Sequence, residues 1–140
     1  MERWNGWGDE ANHYPMPEGG EAFLNGLIGP GRILPDATLE DALAHVPPSR
    51  LPEHDLIDRS AETRLRHSRG QSLPDWLAMR SGNFRVFTDG VAFPTEKEQI
   101  RTLLALAKAE GWTLIPYGGG TSVAGHVTPE VQDKPVLTVS

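Results

Sequence analysis

The second half of the chain has the more regular order of predicted elements. The segment FRVFTDGVAFP contains extended residues on both sides of Asp89-Gly90, TEKEQIRTLLALAKAEG has helical periodicity, and WTLIPY is a short strand. A strand, a helix and a strand within about thirty residues form a βαβ unit with an expected right-handed crossover. A further strand, PVLTVS, follows, and we predict that Val136 and Leu137 within it are buried.

The helix of this unit carries the clearest signals in the sequence. Thr95 is its predicted N-cap, and Glu98, three residues further on, completes a capping-box pattern. Gly111 suits the position after the last turn. The predicted buried stripe consists of Ile100, Leu103, Leu104 and Ala107.

Short helices between turns are predicted for the first half of the chain. EAFLNGLIGPG predicts one helix, DATLEDALAHVPP a second that Thr38 caps, and SLPDWLAMRSG a third that Ser72 caps and Gly82 ends. Their predicted apolar sides are Phe23, Leu24, Leu27 and Ile28 in the first, Leu39, Ala42, Leu43 and Val46 in the second, and Leu73, Trp76 and Leu77 in the third.

Three consecutive glycines, Gly118 to Gly120, lie just past the carboxyl end of the second strand, where α/β sheets bind ligands. Glycines adopt positive φ and leave room for close approach, and successive N–H groups can form an anion nest. Thr121 and Ser122 add hydroxyl donors. The loop therefore predicts a phosphate or pyrophosphate site, and the alternative from its composition is a flexible turn.

The stretch DGVAFPTEKEQIRTLLALAKAEGWTLIPYGGGTSVAG resembles the start of the FAD-binding domain of the vanillyl-alcohol oxidase type, also called PCMH-type. In that family a strand–helix junction leads to a strand and a loop that clasps the FAD pyrophosphate. The resemblance implies that non-covalent FAD is contacted by Pro116, Tyr117, Gly118, Gly119, Gly120, Thr121 and Ser122.

Two segments in the first half of the chain indicate a particular branch of this family. RWNGWGD and RHSRGQSLPDWLAMRSG are similar to segments of alkyldihydroxyacetonephosphate synthases and their bacterial relatives, often FAD-linked oxidases of unknown substrate. The resemblance implies an FAD-dependent exchange of the acyl chain of acyl-dihydroxyacetone phosphate for a fatty alcohol. D-lactate and glycolate dehydrogenases share the loop, so FAD-linked oxidation of a D-2-hydroxy acid is an alternative. A non-catalytic nucleotide-binding module is a second alternative.

The expected fold class is α+β, with a helical arm in residues 1–82 and the first βαβ unit of a PCMH-type FAD domain in residues 83–140. The resemblance implies that the sequence is an N-terminal portion. The rest of the FAD domain, the substrate domain and the family's catalytic Tyr and His residues would then lie outside it. No catalytic residue is therefore assigned.

Composition restricts the partners. The chain of 140 residues has 13 basic and 19 acidic side chains, a net charge of −6 that argues against nucleic acid as a partner. It has no cysteine, no apolar run of membrane-spanning length and no apolar signal-peptide core at its start. We expect a cytoplasmic protein whose partners are FAD and a small-molecule or lipid-like substrate, and a homodimer stays open.

We expect structural roles for the histidines, the two N-terminal tryptophans and the basic run. The five histidines lack metal-ligand spacing, and His126 is expected to make a polar contact rather than a covalent flavin bond. Trp4 and Trp7 are interpreted as packing anchors, with an acyl channel as the alternative. A solvated face, or else a substrate-phosphate anchor, is expected of the basic run Arg59, Arg64, Arg66, His67 and Arg69.

Overall fold

The computed structural model describes residues 3–32 and 34–140, so residues 1, 2 and 33 of the predicted helical arm lie outside it. The predicted α+β class is confirmed, and helix α3 is an element that the sequence did not predict. The elements are α1 (Gly20–Ile28), α2 (Leu39–Ala44), α3 (Ala61–Arg66), α4 (Leu73–Ser81), β1 (Gly90–Ala92), α5 (Lys97–Glu110), β2 (Thr113–Pro116) and β3 (Val136–Val139).

The three strands form a small parallel sheet in the order β1-β3-β2. Strands β1 and β2 flank α5 in the sequence, but β3 lies between them in space and pairs with both. Leu137 is the partner of Gly90 on one side and of Leu114 on the other. Val136 and Leu137 are buried, as predicted, and because successive strand residues point to opposite faces, both faces of the central strand are covered at this point.

The core beneath the sheet draws residues from both halves of the chain. Leu51 and Ile57 pack in one cluster with Ala92, Leu103 and Leu137. A backbone bridge in antiparallel orientation also joins position 58 to the outer edge of β1, with N–H···O distances of 2.8 and 2.9 Å. The end of the predicted arm therefore packs against the sheet, while the domain boundary at residue 82 stays a prediction.

An ion pair between the exposed Arg50 and the buried Asp89 fixes the loop that leads into β3. The Arg50 guanidinium donates to both carboxylate oxygens of Asp89, at 2.8 and 2.7 Å, and the Val136 amide donates to the same carboxylate at 2.8 Å. Burial alone would raise the pKa of Asp89, but the hydrogen bonds from Arg50 and the backbone amides outweigh it and lower the pKa. Arg50 also donates to the carbonyls of residues 132–134.

The caps of α2 and α4 are confirmed, whereas the predicted cap of α5 is wrong by one residue. Thr38 and Ser72 each accept from the amide three residues further on. Helix α5 instead has its N-cap at Glu96, and the Gln99 side chain accepts from the Thr95 and Glu96 amides at 2.7 and 3.3 Å. Glu98 is not the partner because Gln99, one position later, reaches back to both amides.

Several predicted apolar sides stay in contact with solvent. No residue of α1 is buried, and on α4 the buried residues are Asp75 and Met79 rather than the predicted set. On α5 only two residues of the predicted stripe, Leu103 and Ala107, are buried. The exposed members of the predicted sides are Phe23, Leu24, Leu27, Ile28, Leu73, Trp76, Leu77, Ile100 and Leu104.

Among the described residues, no helix combines the length and the apolar character that crossing a membrane requires.

Candidate functional site: a glycine loop beside a basic cavity

The glycine loop begins where β2 ends. The Tyr117 amide donates to the Val139 carbonyl at 2.8 Å, and the Gly120 amide closes a turn onto the Tyr117 carbonyl at 3.2 Å. Gly118 and Gly120 have φ values of 59° and 65°, while Gly119 lies outside the positive-φ region, which corrects the expectation for that residue. Alternation between left-handed and other conformations is what an anion nest requires.

The loop offers backbone donors that the protein itself does not use. Within the described part of the chain, the amides of Gly118, Gly119 and Thr121 donate to no protein acceptor. Gly118 and Gly119 are exposed, and a Cβ on Gly119 would meet only Thr121 Cγ2, at 3.8 Å. These N–H groups are therefore accessible to an acceptor on a ligand.

The Tyr117 side chain connects the loop to the end of α3. Its hydroxyl donates to the carbonyls of Arg66 and Arg69, both at 3.1 Å, and its ring lies 4.9 Å from the His67 ring. Gly120 lies against the same ring, where a Cβ would be only 2.5 Å from Tyr117 Cζ. Tyr117 thus has a structural role at the site in addition to any contact with a ligand.

Gly70 allows the segment after α3 to contact the end of the glycine loop directly. A Cβ on Gly70 would lie 2.7 Å from the Ser122 carbonyl oxygen and 3.0 Å from Val127 Cγ2. The Gln71 amide donates to that same Ser122 carbonyl at 3.0 Å. The sequence analysis did not identify Gly70. The signal for a close backbone approach was a single glycine after the basic run, which is too little to predict the contact.

A cavity of about 580 Å³ opens between this loop, the segment after α3 and residues 3–9. Four of the seven predicted contact residues line it, whereas Pro116, Thr121 and Ser122 do not. The lining residues include three arginines and one acidic residue, Asp9, a balance that favours an anion. Two of these arginines also pair with carboxylates outside the lining, Arg66 with Glu62 and Arg69 with Asp75. The side chains and glycines of the lining are Arg3, Trp4, Gly6, Trp7, Gly8, Asp9, Arg66, His67, Arg69, Gln71, Met79, Tyr117, Gly118, Gly119, Gly120 and Ser140.

Arg69 is a buried cation at the wall of the cavity. Its Nη1 donates to the Ser68 carbonyl at 2.7 Å, its Nε lies 3.9 Å from Asp75 Oδ1, and its guanidinium stands 5.0 Å from the Phe84 ring centroid. Burial lowers the pKa of Arg69, and the Asp75 carboxylate opposes this. The usual pKa of arginine is so high that the side chain stays charged.

The predicted solvated face is wrong for two members of the basic run. Arg64 is as buried as Arg69, because its guanidinium donates to the Thr88 and Pro47 carbonyls at 2.8 and 2.7 Å. Trp7 is also no packing anchor, since 61% of it is exposed, whereas Trp4 is buried as expected.

Ser122 and His126 form a small polar pair just beyond the glycines. The Ser122 hydroxyl lies 3.2 Å from His126 Nδ1 and accepts from the His126 amide at 3.1 Å. His126 thus makes the polar contact expected of it. Across the described residues, no group of three or more His, Asp or Glu side chains is arranged to hold a metal ion.

Comparisons with known proteins agree with the resemblance. An alkyldihydroxyacetonephosphate synthase of Trypanosoma brucei brucei is 27% identical to this chain in an alignment 169 residues long. The alignment covers 99% of this chain and 28% of that protein. The chain resembles these synthases along its whole length. The synthase of Caenorhabditis elegans is 24% identical over 98% of this chain, and that of Dictyostelium discoideum 31% identical over 64% of it. No protein-family model matches the sequence.

The fold comparison gives the same result. A solved structure of alkyldihydroxyacetonephosphate synthase superposes on 99% of this chain with a TM-score of 0.76 at 22% identity, covering 32% of that structure. A second crystal form of that enzyme gives the same TM-score. The chain spans about 28% of the length of the first curated relatives that it matches.

Proposed function

We propose that this chain holds the diphosphate of non-covalently bound FAD in a protein with alkyldihydroxyacetonephosphate synthase-type chemistry. The observation that carries the proposal is the pair of exposed glycines, Gly118 and Gly119, whose amides have no protein acceptor at the mouth of a basic cavity. Backbone N–H groups bind phosphate oxygens without needing a lysine, which this loop lacks. The resemblance to the synthases along the whole chain supports FAD as the ligand.

The residues present fit a dinucleotide diphosphate. The loop gives donors on one side of the cavity, and Arg66 at the end of α3 and Arg69 just after it lie on another side. The Arg66 guanidinium is paired with Glu62, so Arg69 is the cation that we propose for the diphosphate. Charge-assisted contacts from two directions hold a dianion more firmly than amides alone. The open space at Gly119 gives the diphosphate a place to approach the backbone. Bound flavin would supply the redox chemistry, while these residues bind and orient it.

Within this proposal, β1, α5 and β2 correspond to the first unit of a PCMH-type FAD domain that the full protein completes. The substrate would be an acyl-dihydroxyacetone phosphate or a similar lipid-like molecule, bound by parts of the protein outside these 140 residues. The cytoplasmic location stays a prediction.

The test uses Gly119→Val with Gly31→Val as its matched control. Among the described residues, a Cβ on Gly31 meets nothing within 4 Å and one on Gly119 meets only Thr121 Cγ2 at 3.8 Å, and neither glycine has a positive φ, so we expect both variants to fold. Gly31 does not line the cavity. Calorimetric titration with FAD and with inorganic pyrophosphate should show binding by the wild type and by Gly31→Val. Gly119→Val should weaken the binding of both ligands by about 100-fold or more. Its side chain blocks backbone amides, each of which contributes about 1.5–3 kcal/mol to the binding of a charged ligand.

Equal binding of pyrophosphate by Gly119→Val and the wild type would contradict the assignment of the loop. Whether the flavin is bound covalently is tested separately, by acid precipitation of a flavin-loaded protein that contains this chain. All flavin should stay in the supernatant, with or without His126→Ala, because we expect His126, which contacts Ser122, to form no covalent flavin bond.

A further inference from the structure

The two tryptophans of the RWNGWGD segment have opposite environments. Trp4 is buried in a cluster with Ala42, Leu65 and Phe87, so it anchors the segment to the helices. Trp7, three residues later, is 61% exposed and lines the cavity together with Gly118 and its neighbours. Packing of this chain gives no reason for a large aromatic ring at position 7, since the core cluster does not contain it.

The backbone that carries Trp7 is held in one conformation. The Arg3 amide donates to the Gly8 carbonyl at 2.9 Å and closes a tight loop around position 7. The Arg3 side chain donates to the Asp9 and Asn12 carbonyls at 3.2 and 2.7 Å, and Gly8 supplies the required positive φ of 87°. An indole on such a loop costs little conformational entropy to immobilise on a ligand.

We propose that Trp7 is a stacking residue for a planar heteroaromatic ring of the dinucleotide whose diphosphate occupies the glycine loop. This inference rests on the proposed function, because the diphosphate fixes where the attached ring can go. The cavity of about 580 Å³ extends from the free amides of the loop to the indole, so a ring linked to the phosphates through a sugar can reach it. Indole is the largest aromatic face that a protein offers for such a contact.

FAD carries two rings, adenine and isoalloxazine, and both have a π-face that an indole can cover. Stacking does not require a particular hydrogen-bond pattern, so the shared chemistry is a flat ring joined to a phosphate. ADP and FMN separate the two, because each carries one of the rings. Inorganic pyrophosphate carries neither and reports on the loop alone.

The experiment measures calorimetric affinities for FAD, ADP, FMN and inorganic pyrophosphate of a protein that contains this chain. Trp7→Ala is compared with Trp7→Phe, which keeps a ring, and with Tyr14→Ala, a control at an 88% exposed aromatic residue that does not line the cavity. Circular dichroism confirms that each variant is folded. Trp7→Ala should weaken FAD by about 5- to 150-fold, the range of one aromatic–base stack, and leave pyrophosphate unchanged.

Trp7→Phe should recover most of the lost affinity, and Tyr14→Ala should behave as the wild type. A larger loss with ADP assigns the stack to adenine, and a larger loss with FMN assigns it to isoalloxazine. Unchanged FAD binding by Trp7→Ala, with pyrophosphate bound normally, would overturn the stacking proposal and leave the proposed function intact. An equal loss for pyrophosphate and FAD would also overturn it, since Trp7 would then only support the fold. A wild type that binds no pyrophosphate would overturn both.

Discussion

Alanine substitutions at the three loop glycines should have three different effects on stability, although the chemical change is the same. Gly118 has a positive φ but open space around it, Gly119 has open space without a positive φ, and Gly120 has a positive φ and the Tyr117 ring against it. The left-handed conformation costs an alanine about 1–2 kcal/mol. A compatible glycine-to-alanine change instead stabilises by about 0.4–1 kcal/mol through the unfolded chain.

These terms give an order for the changes in the free energy of unfolding. Gly119→Ala should be neutral or stabilise by up to about 1 kcal/mol, because its Cβ meets only Thr121 Cγ2. Gly118→Ala should cost about 1 kcal/mol, the difference between the two terms. Gly120→Ala should cost about 3 kcal/mol, because its Cβ also displaces Tyr117 and disturbs the hydroxyl contacts to Arg66 and Arg69.

Urea unfolding followed by tryptophan fluorescence measures these differences as shifts of the midpoint at constant slope. A double variant tests the cause: once Tyr117→Ala has removed the ring, Gly120→Ala should cost only about 1 kcal/mol more, as Gly118→Ala does. Equal losses at Gly119 and Gly120 would refute the loop geometry. Additive effects of Tyr117→Ala and Gly120→Ala would refute the proposed clash.

Two further substitutions test the contacts that hold the site in place. Arg50→Ala should lower the free energy of unfolding at pH 7 by about 1–3 kcal/mol in urea titrations, because Asp89 loses its cation while the exposed Arg50 side chain and the remaining Val136 amide limit the cost. Since the folded pKa of Asp89 lies below the unfolded value of 3.8, its stabilisation is complete above that pH. It should be lost as the pH falls through the folded pKa, and an Asp89→Asn variant that showed the same acid dependence as the wild type would contradict this. Gly70→Ala should cost about 1–3 kcal/mol and also weaken pyrophosphate binding, because its Cβ meets the Ser122 carbonyl; unchanged values in both measurements would argue against that contact.

Local signals in the sequence were sufficient for the features that depend on neighbouring residues. Thr38 and Ser72 cap their helices as predicted, and the glycine loop lies at the end of β2, because cap and strand-end patterns span only a few positions. The start of α5 was misplaced because TEKEQ contains two overlapping capping patterns. The pattern alone does not distinguish Thr95 from Glu96 as the N-cap.

The rest depended on contacts between distant parts of the chain. Helix α3 has no apolar periodicity, and one of its basic residues, Arg64, is buried because the carbonyls of Pro47 and Thr88 accept from its guanidinium. The wall of the cavity joins residues 3–9 to the glycine loop, more than half the chain away. Neither a propensity nor a motif contains that information, so the close contact at Gly70 and the position of Trp7 at the wall of this cavity emerged only from the three-dimensional arrangement.

The position of β3 in the middle of the sheet imposes an order on biosynthesis. The ribosome makes β1 and β2 before β3. In the folded sheet β1 and β2 do not pair with each other, because β3, residues 136–139, lies between them. Until that segment emerges, Asp89 lacks the Val136 amide and the glycine loop lacks its anchor, the bond from the Tyr117 amide to Val139. Pairings this distant in sequence form slowly. The nascent chain therefore passes through a stage in which the helices can form but the glycine loop is not yet held in place, and the candidate site takes shape only when β3 pairs with β1 and β2.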